Sequence, residues 1–141
     1  MATAITSATI GSDLFCLGDK FFDDQAGPND ATVTSSEFML AQTMGAAEVK
    51  LVGGTAGLVT GASNRVTIKV LTAPTSGGTF DNVAVEYLLP VSTTYAAGDD
   101  IFAWIPPREL AECYAKVSVT VATDDLSAYD IDGYQVGVAG A

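Results

Sequence analysis

The sequence predicts an all-β domain, a sandwich or a barrel, and three observations carry that prediction. First, Arg65–Leu71 and Tyr114–Val121 alternate apolar and polar residues with the period of a half-buried strand. Second, short apolar runs recur at a spacing of roughly 12 to 18 residues with turn chemistry between them, the rhythm of a sandwich or barrel. Third, nothing reads as a βαβ unit, and only Arg108–Tyr114 has room for a turn or two of helix. At 141 residues the chain suits one domain, 1–141, large enough to bury a core without disulfides or a metal.

Taken in order, residues 1–12 are small and polar and read as a loose N-terminal arm. Leu14–Leu17 is a short apolar run closed by Gly18-Asp19. Lys20 to Asp30 is acidic and carries Gly27-Pro28 and Asn29-Asp30, so it reads as an exposed loop. Val33–Leu40 reads as a strand with little alternation, and Thr43–Ala47 as a connector. Glu48–Val52 alternates and stops at Gly53-Gly54. In Arg65–Leu71, Val66, Ile68 and Val70 face the core. Thr72–Gly78, with Pro74 and Gly77-Gly78, is a turn cluster. Val83–Leu89 is a strand ended by Pro90, Ala96–Asp100 a turn, and Ile101–Ile105 an apolar strand stopped by Pro106-Pro107. In Tyr114–Val121, Ala115, Val117, Val119 and Val121 point inward. Thr123–Asp125 turns, and Ile131–Val138 closes the domain. Ile68 and Val119 are the expected centre of the core.

Composition excludes whole classes of function. There are 17 acids against 6 bases, a net charge of -11, and no histidine. Nucleic-acid binding needs a cationic footprint, and anionic membranes repel such a chain. Without histidine there is no Ser-His-Asp triad, no His metal ligand and no His general base. The N-terminus lacks the basic and apolar regions of a secretory signal, and no run is apolar enough to span a bilayer. The expectation is a soluble protein used where it is made. Cys16 and Cys113 are too few for a disulfide framework; one bridge between them is the alternative, but two buried free thiols suit a reducing cytoplasm better.

The residue patterns that imitate sites have simpler readings. Asp23-Asp24, Asp99-Asp100 and Asp124-Asp125 could hold Ca²⁺ weakly, but adjacent acids in turns are ordinarily solvated. Asp130-Ile131-Asp132-Gly133 starts like a calcium loop, yet the sixth residue after the glycine is Ala139 rather than Glu, so a strand with a glycine bulge fits better. Gly53–Gly57 and Ser76–Thr79 lack the Gly-Lys-Ser/Thr ending of a phosphate loop and read as hairpin turns or bulges. Lys69 and Lys116 on polar strand faces propose no Ser-Lys dyad. No catalytic residue, cofactor or metal site is expected, and the chain does not read as an enzyme.

The informative oddity is apolar surplus. Mean hydropathy is positive for a chain with no membrane-spanning run, and charged residues make up only 16% of it. Ile101–Ile105 is apolar at every position, so a sheet wetted on one face has no room for all of it. Leu88, Phe102 and Trp104 therefore read as residues of an oligomer or partner interface, since interfaces resemble a core cut in half. The alternative is an outer face covered by the N-terminal arm.

The order of elements then matters. Ser35-Ser36-Glu37-Phe38 is followed by a Gly-rich stretch, and Arg65–Leu71 runs into Thr75-Ser76-Gly77-Gly78-Thr79-Phe80. An apolar strand ends near Pro90, with Ala97-Gly98 after it, and a Pro-Arg-Glu-Leu segment precedes Tyr114–Val121. Over roughly residues 33 to 138 this order resembles the capsid cement, or decoration, proteins of tailed bacteriophages, in particular the family first described from a Bordetella podovirus. The resemblance implies a jelly-roll-like antiparallel β-sandwich on the outer surface of the virion. It would clamp neighbouring copies of the major capsid protein, act as a homodimer or homotrimer, and carry no catalytic residues. Such a protein would be made in the host cytoplasm. Two rivals remain: a carbohydrate-binding β-sandwich with Trp104 and Tyr95 as stacking platforms, and a small hydrolase using two acids.

Overall fold

The computed structural model describes residues 14–16, 20–40, 47–63, 65–107 and 114–138. Among these described residues are twelve strands: β1 (Leu14–Cys16), β2 (Phe22–Ala26), β3 (Thr32–Thr34), β4 (Phe38–Met39), β5 (Ala47–Gly53), β6 (Leu58–Val59), β7 (Val66–Ala73), β8 (Asn82–Leu88), β9 (Thr94–Tyr95), β10 (Asp100–Trp104), β11 (Tyr114–Val121) and β12 (Asp130–Val138). Among the described residues no helix is long and apolar enough to cross a membrane. Of Arg108–Tyr114, the segment with room for a helical turn, residues 108–113 lie outside the described residues, as does the 1–12 arm, and Tyr114 opens β11.

One sheet runs β1–β12–β5–β10, with β2 also on β12. The other main sheet runs β3–β11–β7–β8, with β4 also on β11; β6 and β9 form a separate two-stranded ribbon, and every pair is antiparallel. Counting β1 with β2 and β3 with β4, each main sheet has four positions. The chain crosses between sheets at every connection of main strands except the β7–β8 hairpin. This is the jelly roll, two Greek keys in one sandwich.

The core forms where the alternation predicts it. Val66, Ile68 and Val70 on β7, and Ala115, Val117, Val119 and Val121 on β11, are all buried. Val119 stands directly opposite Ile68. From the other sheet Val49, Leu51, Ile131 and Phe102 complete the cluster. The outer face of the second sheet is polar: Thr32 and Thr120 share a hydrogen bond of 2.8 Å, and Thr67 extends that row.

Two expectations in the N-terminal third need correction. Lys20–Asp30 is not wholly a loop, because Phe22–Ala26 pairs with β12. Its acids face solvent, and only Phe22 enters the core. Val33–Leu40 is two short strands, since buried Ser35 interrupts the ladder. Its hydroxyl accepts the Val117 N–H at 3.0 Å, and its own N–H reaches the Val117 carbonyl at 2.9 Å. The glycine bulge expected near Gly133 is present: the β12–β2 register shifts between Ile131 and Gly133. Both Gly-rich segments are turns, Gly57 N–H closing on the Gly54 carbonyl and Gly78 N–H on that of Thr75.

The two lateral sides of the sandwich differ. On one, Phe21 stacks on Phe38 at 4.4 Å between centroids with planes 10° apart, which ties β2 to β4 across the sheets. On the other, the edge strands β8 and β10 face one another, bridged by Tyr87 and Phe102 at 5.8 Å.

Candidate interaction surface

β8 is an edge strand with little shelter on either face. Val83, Tyr87 and Leu88 on it, and Val91 just beyond, are 45, 39, 49 and 39% exposed. Leu88 sits on the polar outer face opposite Thr67, whereas Tyr87 lies opposite Ile68 and leans toward Phe102. The following chain is pinned in place. Leu89 is buried and its N–H reaches the Val66 carbonyl, and the Thr60 hydroxyl donates to the Pro90 carbonyl at 2.8 Å. Between β8 and β10 runs an open groove of about 360 Å³ lined by Val85, Glu86, Tyr87, Ile101, Phe102 and Ala103.

The three residues expected at an interface separate here. Leu88 is exposed. Phe102 is only 7% exposed and belongs to the core, and Trp104 is half-buried and packs against it. The physical reason is a β-bulge. Asp100 faces Val52 and Phe102 faces Leu51, so Ile101 is an extra residue, and Ile101 and Phe102 both turn inward. A strand that is apolar at every position thus keeps adjacent residues inside, and Phe102, which also lines the groove, is buried within the single chain. Tyr87 and Val83, which sequence reasoning did not single out, take its place on the surface. The alternation of Val83–Leu89 does not mark it as an edge strand.

The acids are structural ties. Asp24 accepts hydrogen bonds from the Thr55 N–H at 3.0 Å and its hydroxyl at 3.1 Å. Asp130 accepts the Ala56 N–H at 2.8 Å, so the Gly54–Gly57 turn is clasped from both sides. Gly54 is required there, because a Cβ would fall 2.5 Å from Asp130 Oδ1 and 2.8 Å from Asp24 Oδ1. Asp99, Asp124 and Asp125 likewise accept backbone N–H groups in their turns, and Asp30 accepts that of Thr123. Beside the clasp lies an open cleft of about 380 Å³ lined by Lys20, Thr55, Asp132 and Tyr134 among others, with Lys20 Nζ 3.2 Å from Asp132. Partial burial works against the Lys20 charge, but the hydrogen bond and charge of Asp132, with Asp23 and Asp24, outweigh it and raise the pKa. Lys50 behaves alike: burial opposes its charge, and Asp100 at 3.0 Å raises its pKa. Among the described residues no group of three or more His, Cys, Asp or Glu side chains converges as a metal site. Trp104 and Tyr95, the candidate sugar platforms, are both half-buried against the core, and burial raises the Tyr95 pKa.

At the opposite end Glu37 holds the β7–β8 turn. Its carboxylate accepts the Ser76 hydroxyl and, at 2.7 Å, the Gly77 N–H, while Lys116 lies 4.7 Å from the centre of the Phe80 ring. The Ser76 and Gly77 hydrogen bonds hold the Glu37 pKa below its ordinary 4.5. The Thr55 donors do the same for Asp24. A carboxyl whose folded pKa is depressed contributes stability that is complete above its unfolded pKa and is lost as pH falls through the folded one. Stability should therefore decline below about pH 4.5. Glu37→Gln should lose less stability than the parent between pH 6 and 3 in urea titrations. Equal losses would show that the tie is energetically silent.

No protein-family model and no curated protein matches this chain. Among solved structures, a chain in the structure of infectious bursal disease virus Gx strain is similar at a TM-score of 0.35 and 12% identity, over 90% of this chain and 33% of that one. This chain thus spans about a third of that chain's length.

Proposed function

We propose that this chain is a non-enzymatic structural protein of a virion, a decoration or cement protein that binds the outside of a tailed-phage head and clamps neighbouring major capsid subunits. The observation that carries the reading is the strip of exposed apolar residues Val83, Tyr87, Leu88 and Val91 on and just after the edge strand β8, in a chain with a net charge of -11. Jelly rolls recur in viral capsid and lectin domains, and the fold by itself assigns no function. The strip supplies what a clamp needs, since apolar surface gathered at one place marks a protein contact. The resemblance over residues 33 to 138 supplies the class of partner.

The mechanism is linkage. A protein that binds only the assembled shell adds its binding free energy to the cost of disassembly, and many copies multiply a modest affinity. The chain works as a homodimer or homotrimer, is made in the host cytoplasm and ends on the virion surface. It has no nucleic-acid or membrane partner, in keeping with a net charge of -11.

The test is co-expression with the major capsid gene from its own locus. The protein should pellet with shells at a fixed, symmetry-related copy number and remain accessible to antibody on the intact particle. Leu88→Lys should weaken that binding roughly ten- to hundredfold, the value of one buried leucine, with little effect on folding. Absence from the shells, or a position inside against DNA, refutes the role.

A further inference from the structure

We infer that the β8 edge of the groove is a strand-addition site for an extended segment of a partner protein, one that is apolar at alternate positions and carries a lysine or arginine. The Leu89–Val66 hydrogen bond fixes the ladder phase of β8. Leu89, Tyr87 and Val85 turn their backbone groups to β7, so the N–H and C=O of Glu86 and Leu88 point away from it, into the open side. No other strand pairs with β8 among the described residues. Across the groove, Ala103 likewise turns its backbone groups outward, because Phe102 and Trp104 pair with Leu51 and Val49.

A row of unpaired groups at a sheet edge is a template for another strand, and alternate side chains of the guest then read the pockets beside it. Here the walls are Val85, Tyr87, Ile101 and Phe102, which suits apolar residues at every second position. Glu86 is the one charged residue lining the groove; it stands opposite Lys69 on β7 but makes no ion pair among the described residues. A cation on the guest opposite Glu86 completes it, and the charge of -11 favours such a guest over a second copy of this chain. Bulges confine the site. Val70 faces Val85 while Leu71 faces Val83, so Ala84 breaks the ladder, and Ile101 does the same on β10. The regular stretch left on β8 is Val85–Leu88, long enough for one short segment but poor at propagating into a fibre.

This inference rests on the clamp reading only for who donates the segment. The probe is a capped Val-Thr-Val-Lys-Val-Thr-Val peptide, compared with the same peptide N-methylated on alternate amides, and followed by amide exchange in the full chain. The unmodified peptide should bind saturably and protect the Glu86 and Leu88 amides, and the methylated one should not. Glu86→Pro removes an N–H that β7 does not use, so it should weaken binding about tenfold or more at nearly unchanged melting temperature. Glu86→Lys should reverse the preference toward a peptide with glutamate in place of lysine. Equal binding of the methylated peptide, protection elsewhere, or no response to either Glu86 substitution overturns the site. So does sedimentation showing that β8 is occupied by a second copy, or exchange showing that residues 1–12 already cover it. If both variants still stabilise shells fully, the groove is wrong and the clamp stands. If the peptide binds but shells do not bind the protein, the clamp is wrong and the groove stands.

Discussion

Phe102→Ala should destabilise the folded chain by about 3–5 kcal/mol, the range for emptying a buried phenylalanine site. The ring is buried between the sheets, touches Tyr87 and shares the core cluster with Leu51 and Val49. The bulge at Ile101 holds it there, and neighbours tied into β5 cannot collapse fully onto the void. For a chain of this size the loss corresponds to a melting temperature lower by roughly 10 °C or more. Leu88→Ala, on the exposed outer face of β8, should stay within about 0.5 kcal/mol of the parent. Urea unfolding of the two variants side by side checks the contrast. Comparable small losses would return Phe102 to the surface and undo the account of the bulge.

Gly27→Ala should be the next most damaging, by about 1–3 kcal/mol, the usual cost of forcing atoms into a packed site. A Cβ at Gly27 would collide with the backbone oxygen of Leu126 and come within 2.7 Å of its Cβ. Neither can retreat. Leu126 is buried in the core, and its N–H is bound to the Pro28 carbonyl at 3.0 Å, while Gly27 N–H is bound to that of Tyr129. By contrast Gly98→Ala meets nothing within 4 Å and is strained only by its φ of 84°. Thermal melts should rank Gly27→Ala well below Gly98→Ala, and the reverse order would contradict the packing described around Leu126.

The central strands are legible in the sequence because they are half-buried and continuous. β7 and β11 alternate over their whole lengths, so period alone places Ile68 and Val119 at the centre. β2 is not legible, because its residues Asp23, Asp24 and Gln25 serve a solvent-facing strand that contributes one ring, Phe22, to the core. β6 and β9 are too short for any period to show. The candidate interaction surface is half legible. Leu88 stands out as an apolar residue on a polar face. The burial of Phe102 within the single chain is not legible, because a bulge depends on how two residues oppose one on the partner strand, which the strand's own sequence does not announce. Tyr87 and Val83 were missed because edge position is a property of sheet order, fixed by the crossings between sheets. The carboxylate ties of Asp24 and Asp130 to Thr55 and Ala56 join segments far apart in the chain, so local pattern shows only acids near turns.

The most direct test of the clamp is the heat or denaturant resistance of shells with and without the protein, measured at low salt and at 1 M salt. Shells carrying it should survive conditions that dissociate bare shells, because every copy must be released before the subunits it bridges can part. The gain should persist at 1 M salt, where the Debye length is roughly 3 Å, since Val83, Tyr87 and Leu88 offer an apolar contact and the chain holds only 6 cations. Saturable binding that leaves shell stability unchanged would contradict the account.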